Sequence, residues 1–144
     1  MPSTAGMILL GAIRKGPVVA KTEKSNSPAT LSSLDKARAA AKMALENQAR
    51  DVLILDLRKQ TALFDYFVIA TGKSGRQLRA IADDIDELLQ KQLGDKRLYT
   101  EGYQDSRWIV LDYGDLVIHL FDSEMRDFYR LEDVWGDAPR IDVA

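Results

Sequence analysis

Cysteine is absent from this 144-residue chain, histidine occurs once and tryptophan twice. The missing thiols exclude a disulfide scaffold, a thiolate zinc site and a cysteine nucleophile, and they agree with a reducing, cytoplasmic setting. With His119 as the single imidazole, neither a histidine-ligated metal cluster nor a paired histidine acid–base system can be assembled. Metal chemistry would have to rest on carboxylates. Long apolar runs are also missing. Met7 to Ile13 is far shorter than the roughly 20 residues that cross a bilayer, and Arg14 and Lys15 follow it, whereas a secretory signal puts its charges first. Nor is there a large charge of one sign: the net charge of -2 argues against a protein held to nucleic acid mainly by a field of lysines and arginines.

What is present suffices for one core. The chain is 46% hydrophobic and 29% charged, which suits a single domain. Its charge is unevenly spread. Residues 1–50 carry eight basic and three acidic groups, residues 51–100 eight of each, and residues 101–144 four basic and eleven acidic, giving +5, 0 and -7. An acidic final third suits a basic protein partner, because complementary potential steers encounter; it equally serves solubility. Residues 1–30, rich in Lys, Ser, Pro and small side chains, read as a flexible basic extension. Residues 31–137 form the expected domain, and residues 138–144 read as a C-terminal tail.

Ser32-x-x-Asp35 is a capping box, followed by Leu34, Ala37, Arg38, Ala41 and Leu45 at helical spacing, so the first helix is expected to end near Arg50. Val52 to Leu55 and Tyr66 to Ala70 are continuous apolar runs, as in strands covered on both faces, and Lys59-Gln60-Thr61 is a short polar connection. Ser74-x-x-Gln77 caps a second helix with an apolar stripe of Leu78, Ile81, Ala82, Ile85, Leu88 and Leu89, closed by Gly94. Trp108 to Asp112 and Leu116 to Phe121 form two strands around the Tyr113-Gly114-Asp115 turn. Asp122 caps a last helix with Met125, Phe128, Leu131 and Trp135 on one face. The order of helix, two strands, helix, two or three strands and helix gives an α/β fold with a small mixed sheet flanked by helices.

Strand alternation puts Ile109, Leu111 and Tyr113 on one side of the hairpin and Trp108, Val110 and Asp112 on the other. With the first set in the core, Trp108 is expected to point outward. His119 shares a strand face with Val117 and Phe121, where a lone histidine is ordinarily a packing residue. Gly72, Lys73, Ser74 and Arg76, with Arg79 beside them, form a turn suited to an anion at a helix N-terminus. Neither a Walker loop nor a dinucleotide glycine pattern is present, so a plain tight turn is the competing reading; RNA binding through Lys73, Arg76 and Arg79 is another. A phosphoryl- or nucleotidyl-transfer enzyme would need paired carboxylates on a strand. Asp84 and Asp86 lie two apart in a helix and diverge. Asp112 and Asp115 remain as the candidates for that alternative, but Asp-Tyr-Gly-Asp is also ordinary turn chemistry.

Asp65 to Ser74, Arg76-Gln77, Ile81-Ala82-Asp83, Glu101-Gly102, Trp108, Asp112, Gly114-Asp115, His119 and Tyr129-x-Leu131-Glu132-x-x-Trp135 occur in the order seen in the RsfS/Iojap ribosomal silencing factors. The chain resembles that family from Leu31 to Trp135. The resemblance implies a nucleotidyltransferase-like fold without the catalytic carboxylates, and a non-enzymatic protein with no cofactor or metal. It implies binding to the large ribosomal subunit through its fourteenth protein, a steric block on subunit association, and repression of translation under nutrient limitation. It also implies a homodimer when free, no membrane partner and no sequence-specific nucleic acid. Carried onto this chain, the partner-binding residues are Glu101, Gly102, Trp108, Asp112, Tyr113, Asp115 and His119.

Overall fold

The computed structural model describes residues 31–143, so the expectation for residues 1–30 lies outside the described residues. Six strands, β1 (Arg50–Asp56), β2 (Tyr66–Gly72), β3 (Tyr99–Glu101), β4 (Trp108–Asp112), β5 (Leu116–Asp122) and β6 (Arg140–Ile141), form one mixed sheet in the order β3-β4-β5-β2-β1-β6. The first helix, α1 (Ser33–Glu46), starts at Ser32, whose Oγ accepts the Asp35 amide at 3.1 Å, and it buries Ala37, Ala40, Ala41 and Ala44. These small side chains let the helix lie close against the sheet. β1 (Arg50–Asp56) and β2 (Tyr66–Gly72) pair antiparallel, with an irregularity between Arg50 and Leu53. The segment between them is longer than the short polar link expected from Lys59 to Thr61, because Leu57 and Phe64 turn inward and are buried.

α2 (Gly75–Glu87) begins at Ser74, whose Oγ accepts the Gln77 amide at 3.1 Å, while the Gln77 side chain returns to the Lys73 amide. The Ser74 half of this cap is the one its sequence predicts, while Gln77 reaches one residue further back than a capping box does. A single π-helical turn, Leu88–Gln92, extends it, and Gly94 at φ 74° closes it. α2 has no acid in its first turn and no base in its last, the reverse of what the helix dipole favours.

β3 (Tyr99–Glu101), β4 (Trp108–Asp112) and β5 (Leu116–Asp122) follow as an antiparallel meander, and β5 then lies parallel to β2. The single closing helix expected from the sequence is two: α3 (Ser123–Tyr129) and α4 (Leu131–Val134), broken at Arg130, whose backbone is left-handed at φ 46°. The break shifts the apolar phase, so Phe128 faces solvent at 63% exposure instead of joining Leu131 in the core. The C-terminal segment is also more than a tail. Ala138 is buried, and β6 (Arg140–Ile141) adds an antiparallel strand beside β1. Two residues are too short to leave a periodic signal.

The sheet separates two cores. On one side α1 and α2 cover Ile54, Tyr66, Val68, Ile109, Leu111, Tyr113, Ile118 and Leu120. On the other, the shorter α3 and α4 cover Leu55, Phe67, Ile69, Trp108, Val110, Val117 and Phe121. Alternation along β4 and β5 is as the sequence predicts, but both faces are covered.

Candidate functional site

Trp108 does not project outward. It is 5% exposed, and its ring lies 4.7 Å from Phe121 and 4.6 Å from Tyr129. The reason is α3, which crosses this face and brings Tyr129 over the indole; strand periodicity carries no information about which helices return to cover a face. Register puts Val110 opposite His119, so the imidazole lies on the Trp108 side, and it is fully buried. The indole Nε1–H donates to His119 Nδ1 at 3.1 Å, which fixes the imidazole as the Nε2–H tautomer. Phe67 packs edge-on to His119 at 4.5 Å. Burial without a compensating charge pushes the His119 pKa down to about 3, so the ring stays neutral.

The other residues expected at a contact surface scatter. Tyr113 lies on the helix-covered side, and its hydroxyl donates to Asp86 Oδ1 at 2.6 Å. Burial and that bond raise its pKa. Asp112 and Asp115 are also buried, which corrects their place on an outward docking face. The Asp112 carboxylate accepts the Gly114 amide at 2.8 Å, and Asp115 accepts the Ser33 hydroxyl at 2.9 Å. Asp112 thus shapes the turn, while Asp115 ties the hairpin to α1. These contacts occupy the pair on which the transfer-enzyme alternative rests, and among the described residues no group of three or more His, Asp or Glu is placed to hold a metal.

Glu101 is half-buried and accepts the Tyr99 hydroxyl at 2.7 Å, while burial and this carboxylate push the Tyr99 pKa up to about 12. Gly102 is needed for its backbone: at φ 80°, an added Cβ would fall on the Trp108 carbonyl oxygen. Gly75 likewise lets the loop after β3 approach α2, since a Cβ there would lie 2.7 Å from the Ser106 Cβ. Ser106 is buried at φ 59°, donates to the Tyr103 carbonyl at 2.9 Å and accepts from Arg79. This loop sets the start of β4.

The structure instead reveals an aromatic ladder. Phe121, Trp108, Tyr129 and Phe128 follow one another at centroid spacings of 4.7, 4.6 and 4.9 Å, passing from the core to open solvent. Val134 on α4 is exposed, and Trp135 is half-buried. Arg126 fastens the cover: its guanidinium donates to Thr71 Oγ1 at 2.7 Å and to both Glu132 oxygens at 3.1 Å. Residues 122–137 hold six acidic and two basic side chains, a net of -4, so the exposed end of the ladder sits in an acidic setting. Sequence reasoning named Phe128 and Trp135 as core positions and missed Tyr129 and Arg126 as site residues. Arg126 reaches Glu132 across the break at Arg130, for which no glycine or proline gives a signal.

Gly72, the last residue of β2, is buried, and Lys73, Ser74 and Arg76 after it are exposed at the start of α2. Among the described residues no helix is long and apolar enough to cross a membrane.

The family model described as "Ribosomal silencing factor during starvation" matches residues 30–144. The ribosomal silencing factor RsfS of Bacillus subtilis is 38% identical over 99 residues, covering 68% of this chain and 82% of its own. The chloroplastic protein Iojap of Arabidopsis thaliana is 35% identical over 103 residues, covering 72% of this chain and 42% of its own. A crystal structure of a Chromobacterium violaceum protein superposes with a TM-score of 0.71 at 31% identity, over 74% of this chain and 88% of that one. The same ordered motifs, a matching fold and a family model spanning most of the sequence agree: the chain belongs to the RsfS/Iojap family of ribosomal silencing factors.

Proposed function

We propose that the protein binds the large ribosomal subunit through its fourteenth protein and, from there, sterically blocks association with the small subunit, repressing translation under nutrient limitation. The reading takes it to be a cytoplasmic, non-catalytic protein, a homodimer when free. The observation that carries the docking surface is the exposed end of the aromatic ladder, Phe128 beside Tyr129, in its acidic surroundings. Aromatic side chains supported by a packed layer are the residues on which interfaces concentrate their energy, and truncating one commonly costs about 2 kcal/mol or more of binding. The acidic residues of α3 and α4 orient a basic protein surface against it.

Of the residues expected at the contact, Glu101 and the rim of Trp108 lie on this side of the sheet. Gly102, Asp112, Tyr113, Asp115 and His119 contribute from beneath, holding the hairpin and the indole in place. The test is sedimentation of purified ribosomal subunits with and without the protein. Co-sedimentation with large subunits and a reduced yield of complete ribosomes is the expected result; absence of both overturns the reading.

A further inference from the structure

β2 and β5 are parallel neighbours, and the chain leaves their C-terminal ends in opposite directions. After β2 it enters α2, which packs Leu78, Ile81 and Ile85 on the aliphatic face; after β5 it enters α3, which lays Met125 and Tyr129 over the aromatic face. Such divergence marks the carboxyl ends of the strands, the place where open α/β sheets take their ligands.

Cations from separate segments collect at this end. Arg50, at the start of β1, lies opposite Thr71 and donates to Ser123 Oγ at 3.0 Å. Lys73 and Arg76 follow directly from β2 and are exposed. Arg79, one turn further along α2, donates to Ser106 in the loop that rests on Gly75. Gly72 is paired with Asp122 in the sheet, and Asp122 in turn accepts from Arg107, so these segments adjoin one another. Arg107 is neutralised by Asp122 and Glu124, and Arg126 by Glu132. Arg50, Lys73, Arg76 and Arg79 make no ion pair with a carboxylate among the described residues.

Helix stability does not account for them. Cations in the first turns of α2 oppose its dipole, and no acid offsets them there. They are also spread across β1, the turn and α2, where a single small phosphate would need donors converging on one point. Cations carried on several segments, exposed at Arg50, Lys73 and Arg76 and half-buried at Arg79, suit successive phosphates better than one. The segments 50–51, 72–79, 105–107 and 122–124 hold no aromatic side chain on which a base could stack, so recognition would be of the backbone and not of sequence.

We propose that this end of the sheet is a second contact surface, separate from the aromatic ladder, which takes the sugar-phosphate backbone of a structured RNA through Arg50, Lys73, Arg76 and Arg79. Asp51 and Asp105 lie in the same segments, so the attraction rests on these four side chains and not on the protein's net charge of -2.

The test uses the full chain and a fluorescein-labelled RNA hairpin, with binding followed by anisotropy across a potassium chloride series. Four neutralised phosphates predict that log affinity falls against log salt with a slope of about -3 to -4. The double variant Lys73→Glu, Arg76→Glu is expected to weaken binding by at least about tenfold. Because it places acid at the start of α2, its Tm should hold or rise, which separates a contact role from a structural one. The double variant Lys91→Glu, Lys96→Glu makes the same change in net charge elsewhere and should leave the affinity within about twofold.

A flat salt response, undiminished binding by the first variant, or equal losses in both variants overturns the proposal. Competition by polyaspartate as strong as that by unlabelled RNA would assign the surface to an acidic protein, and displacement by inorganic pyrophosphate would assign it to a small ligand; either overturns it too. Phe128→Ala should bind the hairpin normally while failing to co-sediment with large subunits, so failure at one surface is distinguishable from failure at the other.

Discussion

The two faces of the sheet are built from different materials. Under α1 and α2 the packing is mainly aliphatic, with alanines on one helix and leucine and isoleucine on the other. Under α3 and α4 phenylalanine and tryptophan rings are set among the aliphatic side chains, with a histidine bonded to a tryptophan at the centre and a phenylalanine left in solvent at the rim. The first face uses two long helices to seal a surface. The second uses two short ones, and so thin a cover brings buried aromatic rings within one residue of water. With the docking surface proposed above, stability and recognition overlap on the second face, while the first serves stability.

The largest test of that contrast is Trp108→Ala, expected to cost about 3–5 kcal/mol of stability in urea titrations because it empties the space between Phe121 and Tyr129. Large-subunit binding should fall further than unfolding alone explains. Next comes Ile81→Ala on the aliphatic face, expected to cost about 3 kcal/mol. Binding per folded molecule, measured by co-sedimentation, should be unchanged; a specific loss would break the division of labour.

His119 sets the third test, because it alone places an imidazole in either core. Its pKa in the fold is about 3, against 6.5 when unperturbed. Between those values the unfolded chain binds the extra proton. The contribution is therefore complete above about pH 6.5 and is lost as pH falls toward 3, at up to about 1.4 kcal/mol per pH unit. Midpoints of thermal unfolding across that range should show a shallower acid loss for His119→Phe than for the unsubstituted chain; parallel curves would mean the ring is not held neutral. The smallest expected stability effect is that of Phe128→Ala, within about 0.5 kcal/mol because the side chain is exposed. Its loss of subunit binding should nevertheless be clear, and intact binding would move the docking surface elsewhere.

Much of the scaffold was legible because it rests on local rules. The Ser32 and Ser74 caps, the buried run at Tyr66 to Ala70 and the Tyr113-Gly114-Asp115 turn each follow from a few neighbouring residues, and each forms as expected. Alternation also placed Trp108 and Ile109 on opposite faces correctly. The site was less legible. Whether Trp108 is exposed depends on Tyr129, 21 positions later in sequence, and on the left-handed Arg130 that turns α4 aside. The acids that first suggested metal or partner chemistry proved to be holding a turn and a helix in place. Bonds of that kind are visible only once the chain has been brought together.

The Arg126 fastening has a kinetic consequence. α3 and α4 are a seven-residue and a four-residue helix joined at a left-handed residue, too short to persist without the guanidinium that ties them to Thr71 and Glu132. Amide protons of residues 123–135 should therefore exchange through local openings, well before those of α1 and α2, which report global unfolding. The proposed docking end is then the part of the molecule that can adapt to a partner's contour while the sheet beneath it stays folded.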